Sequence, residues 1–206
     1  MKSTFMVPAL ALALALGLAA CGGGKASFDV GVTVTGLHHP GLVLTNNGTD
    51  KAVAPQAKAG DPVTLSFPAI DYGTAYAVAI KKDAAGKDLN PAHQSCSVFN
   101  GSDTAGRLAV IEVSVVCSMN TFPLSGTVVG LAADGLVLTN GSTGGKVALA
   151  KDATTFAFAA PVAFGVTYGI TVLTQPAGLT CSVSQNGTGT MADAAVTDIV
   201  VTCQAA

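Results

Sequence analysis

Apolar and polar residues alternate through much of this chain. In Ile111-Glu112-Val113-Ser114-Val115 every second residue is apolar, and Tyr76-Ala77-Val78-Ala79-Ile80 and Thr167-Tyr168-Gly169-Ile170-Thr171-Val172 show the same pattern. A period of two puts one set of side chains on one face of a β-strand. Phe156-Ala157-Phe158 does so with two aromatic rings. Asn-Gly pairs at 47–48, 100–101, 140–141 and 186–187 supply tight-turn signals between such runs.

One of these runs occurs twice. GLVLTN spans Gly41–Asn46 and again Gly135–Asn140, at an offset of 94. Gly36-Leu37 matches Gly130-Leu131 at the same offset. Gly73-Thr74-Ala75-Tyr76-Ala77-Val78 matches Gly165-Val166-Thr167-Tyr168-Gly169-Ile170 at 92, and Cys96-Ser97-Val98 matches Cys181-Ser182-Val183 at 85. Val115-Val116-Cys117 answers to Val201-Thr202-Cys203. The falling offset places an insert in the first copy, residues 81–94, against the shorter 174–180 of the second. The chain thus reads as two repeats, 28–120 and 121–206, meeting near Met119-Asn120-Thr121-Phe122-Pro123, too short a stretch for a flexible linker.

Each repeat carries about seven short strands. In the first these are the opening strand, the GLVLTN strand, Lys51–Pro55, Val63–Phe67, Tyr76–Lys81, a strand starting at Cys96 and one ending at Cys117. That density predicts an all-β architecture of two tandem antiparallel β-sandwiches. Composition agrees: 24 glycines, 11% charged residues and one glutamate, Glu112, leave little material for helices. A net charge of −2 with scattered Lys and Arg gives no footprint for nucleic acid.

The N-terminus differs in kind. Lys2 precedes Phe5–Ala20, sixteen residues without a charge. A membrane-spanning helix needs about 20 apolar residues, so this run reads as the core of a signal peptide, residues 1–20. It ends in Leu18-Ala19-Ala20-Cys21, which resembles the lipobox of bacterial lipoproteins. The resemblance implies that Cys21 receives a diacylglycerol, that cleavage falls before it, and that fatty acyl chains such as palmitate hold the protein on a membrane. Residues 21–27 then form the lipidated Cys and a Gly-rich tether. Gly22 does not resemble an inner-membrane retention signal, which implies the outer membrane. The alternative is an ordinary secretory peptide cut near Ala20, with Cys21 a spare thiol.

Setting Cys21 aside leaves Cys96, Cys117, Cys181 and Cys203, in an oxidising compartment. Four cysteines allow three connectivities. Each repeat holds one early and one late Cys at matching places, so the expected bridges are Cys96–Cys117 and Cys181–Cys203. Each contributes about 3 kcal/mol on a loop-entropy account.

The stretch Gly73-Thr74-Ala75-Tyr76-Ala77-Val78 and its copy resemble the corner before a central strand in fibronectin type III and other immunoglobulin-like domains. That implies a structural tyrosine corner at Tyr76 and Tyr168, each hydroxyl bonding to nearby backbone. The order Phe-x-Phe then Gly-x-x-Tyr-x-Val also resembles the transthyretin-like domains of Cna-B and carboxypeptidase-regulatory type. The full repeat is similar to tandem repeats of bacterial envelope lipoproteins, which implies a location and an architecture rather than an activity.

Candidate chemistry is sparse. Serine-hydrolase, zinc-protease and phosphate-loop signatures are absent from the sequence. His38, His39 and His93 all lie in the first repeat, where a metal set competes with plain turn decoration, and the turn reading is preferred. Asp29, Asp50, Asp61, Asp71 and Asp103 lack calcium-loop spacing and read as turn formers. The four Asn-Gly-Ser/Thr triplets match glycosylation sequons, but Asn-Gly turns account for them. The insert 81–94 concentrates Lys81, Lys82, Asp83, Lys87, Asp88 and His93, and reads as a solvated loop or a binding loop.

The reading is a lipid-anchored envelope protein of two tandem immunoglobulin-like β-sandwiches, with a structural or binding role and no catalysis, cofactor or metal. Its expected partners are the membrane, through the anchor, and an envelope protein or glycan. An adhesin or carbohydrate-binding module is the alternative, and an enzyme the least supported.

Overall fold

The computed structural model describes residues 25–141 and 144–206; Cys21 and the signal peptide lie outside the described residues. The described residues form strands and no helix. The first eight strands are β1 (Ser27–Thr35), β2 (Leu42–Asn46), β3 (Thr49–Val53), β4 (Val63–Asp71), β5 (Ala75–Ile80), β6 (Gln94–Phe99), β7 (Ser102–Thr104) and β8 (Ile111–Met119). They make two sheets, in the orders β4-β1-β8-β6 and β3-β2-β5-β7.

Strand alternation becomes burial directly. Ile111, Val113, Val115 and Cys117 of β8 point inward between exposed or half-buried neighbours, as do Tyr76, Val78 and Ile80 of β5. They meet Val30, Val32, Val34, Leu42, Leu44 and Phe67 in one core. Burying a side chain of this size contributes about 1.5–3 kcal/mol, so this face holds the sheets together.

The second half repeats the plan with β9 (Thr121–Phe122), β10 (Leu124–Val129), β11 (Leu136–Asn140), β12 (Lys146–Leu149), β13 (Thr155–Ala157), β14 (Val162–Ala163), β15 (Thr167–Thr174), β16 (Leu179–Gln185), β17 (Thr188–Thr190) and β18 (Val196–Ala205). Its sheets run β13-β10-β18-β16 and β12-β11-β15-β17, with a small β14-β9 pair at one end. A separate core forms around Leu124, Leu136, Leu138, Phe156, Phe158 and Ile199. Pro123 separates β9 from β10 where the first half has one long β1, because proline cannot donate to a ladder. Pro68, in contrast, sits within β4 on the edge of its sheet, where a missing donor is tolerated.

Two features depart from the expectation. Each half contains one parallel pair, β1 with β8 and β10 with β18, beside its antiparallel ones. Each also has a short extra strand. Ser102-Asp103-Thr104 carries no apolar alternation, yet it pairs with Ala75-Tyr76-Ala77 of β5. The chain therefore leaves β6, crosses to the opposite sheet as β7, and returns as β8. The β1 and β2 strands lie in opposite sheets, whereas the first two strands of an immunoglobulin constant domain share one.

The four cysteines bond within halves: Cys96 to Cys117 and Cys181 to Cys203. Each pair lies directly opposite on adjacent antiparallel strands. Beside each bridge a glycine is obligatory. Gly36 and Gly130 have φ of 70° and 81°, and a Cβ there would stand 2.2 and 2.3 Å from the carbonyl oxygens of Cys117 and Cys203.

Gly130→Ala combines a left-handed penalty of about 1–2 kcal/mol with a backbone collision, and is expected to cost about 3 kcal/mol or more. Gly165, also at positive φ (77°), has open space around its would-be Cβ. Gly165→Ala is expected to cost only the left-handed penalty, about 1–2 kcal/mol. Denaturant midpoints of the two variants measure the difference.

Candidate functional site

The chain enters the first half at the end where β1 starts, β4 ends and β8 starts. It leaves at the opposite end, where β8 finishes and β6 begins. The second half is joined there, and the sequence candidates His39 and His93 gather at this junction.

His93 closes the insert with φ 62°, a left-handed conformation that costs a non-glycine residue free energy. Its ring stacks on Phe164 of the second half, 3.7 Å between centroids and 3° from parallel. Its Nδ1 lies 2.5 Å from a carboxylate oxygen of Asp193. The His39 ring meets the His93 ring edge-on at 5.3 Å. Between the halves stands Asn120. Its N–H donates to the His93 carbonyl, its carbonyl accepts from the Phe164 N–H, and its side chain accepts from the Ser95 hydroxyl. The His93–Asp193 pair is partly exposed and contributes at most about 1 kcal/mol. The ring stack and the backbone bonds through Asn120 together therefore hold the junction more strongly than the ion pair does.

Gln94 prepares this surface. It is fully buried, accepts from the N–H groups of His38 and His39, and donates to the Gly36 carbonyl. Its neighbour but one is Cys96, so the bridge to Cys117 fixes the histidine loop as well as the strands.

The remaining candidates do not converge on a site. The His38 ring packs over Gly60, away from His93. Among the described residues no group of three or more His, Cys, Asp or Glu side chains is placed to hold a metal. Asp61 pairs with Lys58 and Asp103 with Arg107, while Asp29 and Asp71 lie exposed on β1 and β4. Within the insert, Asp83 accepts from the N–H groups of Ala85 and Lys87, and Lys82 pairs with Asp88. Lys81 reaches back to Asp50, and this hydrogen bond, helped by one to Thr45, holds the Asp50 carboxyl below its ordinary range. The insert is thus a folded loop whose charges are largely paired. A shallow groove of about 620 Å³ lies between β5 and β6, with Lys82, Asp88, Val98 and Ser102 on its walls.

Tyr76 and Tyr168, expected to pin a corner through their hydroxyls, differ from each other. Tyr76 is buried in the first core, and Tyr168 is half-buried with its hydroxyl beside Gly189. The corner before Tyr76 is closed by backbone bonds, Gly73 N–H to Ala105 and Thr74 N–H to Asp71. Burial and then the Asp103 carboxylate raise the Tyr76 phenol above its ordinary value. Two residues that read from sequence as turn formers have a further role. Asn46 and Asn140, the last letters of GLVLTN, are buried and accept from the N–H groups of Ala77 and Gly169. Their occurrence at the same place in both copies was the available signal.

No protein-family model matches the chain, and no curated protein matches it. Among solved structures it is similar to the Bacillus anthracis TIE protein, at 15% identity and a TM-score of 0.45 over 86% of this chain. The chain spans about a third of that protein's length, 34%. It is also similar to the Streptococcus pyogenes major pilin proteins T-13 and T3.2. Identities are 12% and 11%, TM-scores 0.33 and 0.26, and coverage 89% and 88% of this chain and 100% and 98% of theirs.

Two measurements test the site. Phe164→Ala removes the stack, worth about 0.5–1.5 kcal/mol, and is expected to speed amide exchange at Asn120 and at position 164 roughly three- to tenfold. The unfolding midpoints of the two cores should stay in place. For Tyr76, both folded and unfolded chains keep the phenolic proton below about pH 10. Above that the unfolded chain loses it first, so stability falls as pH rises towards the higher folded-state pKa. Tyr76→Phe is expected to flatten that part of the alkaline decline in a denaturant series across pH.

Proposed function

We propose that this chain is a lipid-anchored protein of the bacterial cell envelope. Acyl chains on Cys21 hold it, and two disulfide-stapled sandwiches in series offer a stable surface in a structural or binding role without catalysis. The observation that carries the reading is the direction of the fold. Strand β1 starts at the end of the first sandwich remote from the second. An anchor at Cys21 therefore lies at the base, with the second sandwich farther from the membrane than the first. Bridges inside both cores suit an oxidising compartment beyond the inner membrane. One acyl chain binds a bilayer only marginally, so two or three on one cysteine are the durable arrangement. Gly22 directs the expectation to the outer membrane.

Mass spectrometry of the mature protein is expected to find residue 21 as an acylated N-terminal cysteine, in the outer-membrane fraction of a density gradient. An unmodified thiol, or cleavage elsewhere, sinks the anchor.

A further inference from the structure

The two halves receive what precedes them in the same way, and they differ in what is there. In the second half, Phe164 N–H bonds to the Asn120 carbonyl, and Gly165 N–H to that of Met191. In the first half, Tyr72 N–H bonds to the Ala26 carbonyl, and Gly73 N–H to that of Ala105. Tyr72 thus stands where Phe164 stands, and Ala26 where Asn120 stands. The Phe164 ring is covered by His93 and His39 of the preceding sandwich. The Tyr72 ring is 62% exposed. It lies against Gly106, at the start of a loop whose residues Leu108 and Val110 are 62% and 63% exposed. Three large apolar side chains are therefore open to solvent at the end where the chain enters.

We propose that this tip, Tyr72 with Leu108 and Val110, rests in the headgroup region of the bilayer that holds Cys21. The inference rests on acylation of Cys21. The five residues from Cys21 to Ala26 reach at most about 18 Å, at ~3.5 Å each, so the tip cannot stand far from an anchored membrane. Tyrosine is suited to that interface, with an apolar ring and a polar end. The nearby charges offer no attraction to anionic lipid: Lys25 and Arg107 are exposed, Asp103 pairs with Arg107, Asp71 adjoins Tyr72, and Asp29 and Glu112 are exposed near the starts of β1 and β8. The contact is accordingly apolar and insensitive to lipid charge. Arg107 also stands two residues after Ala105, as Asp193 stands after Met191, so the carboxylate that holds His93 in the second half has no counterpart here. This disfavours a second copy docking in the manner of the junction.

The test uses the full chain carrying Tyr72→Trp, which introduces the only indole in the molecule. The acylated protein, verified by mass spectrometry, is reconstituted into vesicles of phosphatidylethanolamine and phosphatidylglycerol, with and without bromine-labelled acyl chains. The indole emission is expected to shift to the blue and to be quenched by the labelled lipid, equally on phosphatidylcholine vesicles. Leu173→Trp, in the outer sandwich, should show neither effect. With Cys21 acylated, an unshifted and unquenched indole at position 72 overturns the tip contact and leaves the anchor intact. An unmodified Cys21 removes the anchor and the tip contact with it. Self-association of the Cys21→Ser protein that disappears on Tyr72→Ser assigns the surface to a second copy and overturns the proposal.

Discussion

Each half of this protein is organised by the parallel pairing of its first long strand, β1 or β10, with its last, β8 or β18. Val30 lies opposite Ile111 in one half, and Gly126 opposite Ile199 in the other. Because the two strands run the same way, the chain enters a sandwich at one end and leaves it at the other. A hairpin-like closure would have returned it to its starting end and set the halves side by side. The parallel pair instead sets them in series, with Asn120 between them. It also brings Gly36 and Gly130 against the carbonyls of Cys117 and Cys203, an approach that admits no side chain. The cross-strand bridges lie at the same exit end, so each ties down the place where the chain leaves.

This arrangement gives the two ends of a sandwich different duties. The exit end of the first is shaped by Gln94 and carries His93 outward. The receiving end of the second offers Phe164 and Asp193. The corresponding exit position in the second half is Gly178, whose carbonyl accepts from the Ala206 N–H as that of His93 accepts from Asn120. Gly178 has a φ of 71°, so it holds the same left-handed turn without the ring. The backbone of the two turns is shared; the ring that stacks at the junction, His93, is replaced by a glycine at the matching position of the second half.

Much of this was legible in the residues. Period-two alternation in β5 and β8 translated into their inward faces. GLVLTN marked a strand in each half, and the matched cysteine positions pointed to the pairing seen in the structure. Strand β7 was hidden because Ser102-Asp103-Thr104 owes its place to a partner on β5 and has no buried face of its own. The role of Asn46 and Asn140 was hidden for a related reason. A turn-forming asparagine and a buried acceptor look the same until the strand beside them is known.

Local pattern, and the matching of one stretch of residues to another, were enough to predict the all-β class and the two bridges, and they raised the twofold repeat and an anchor at Cys21 as expectations. The parallel closure, the serial order of the sandwiches and the meeting of His93 with Phe164 and Asp193 emerge only in the folded chain. Those depend on which strands become neighbours across long separations. That choice is made by burying both cores at once, and no single stretch of residues encodes it.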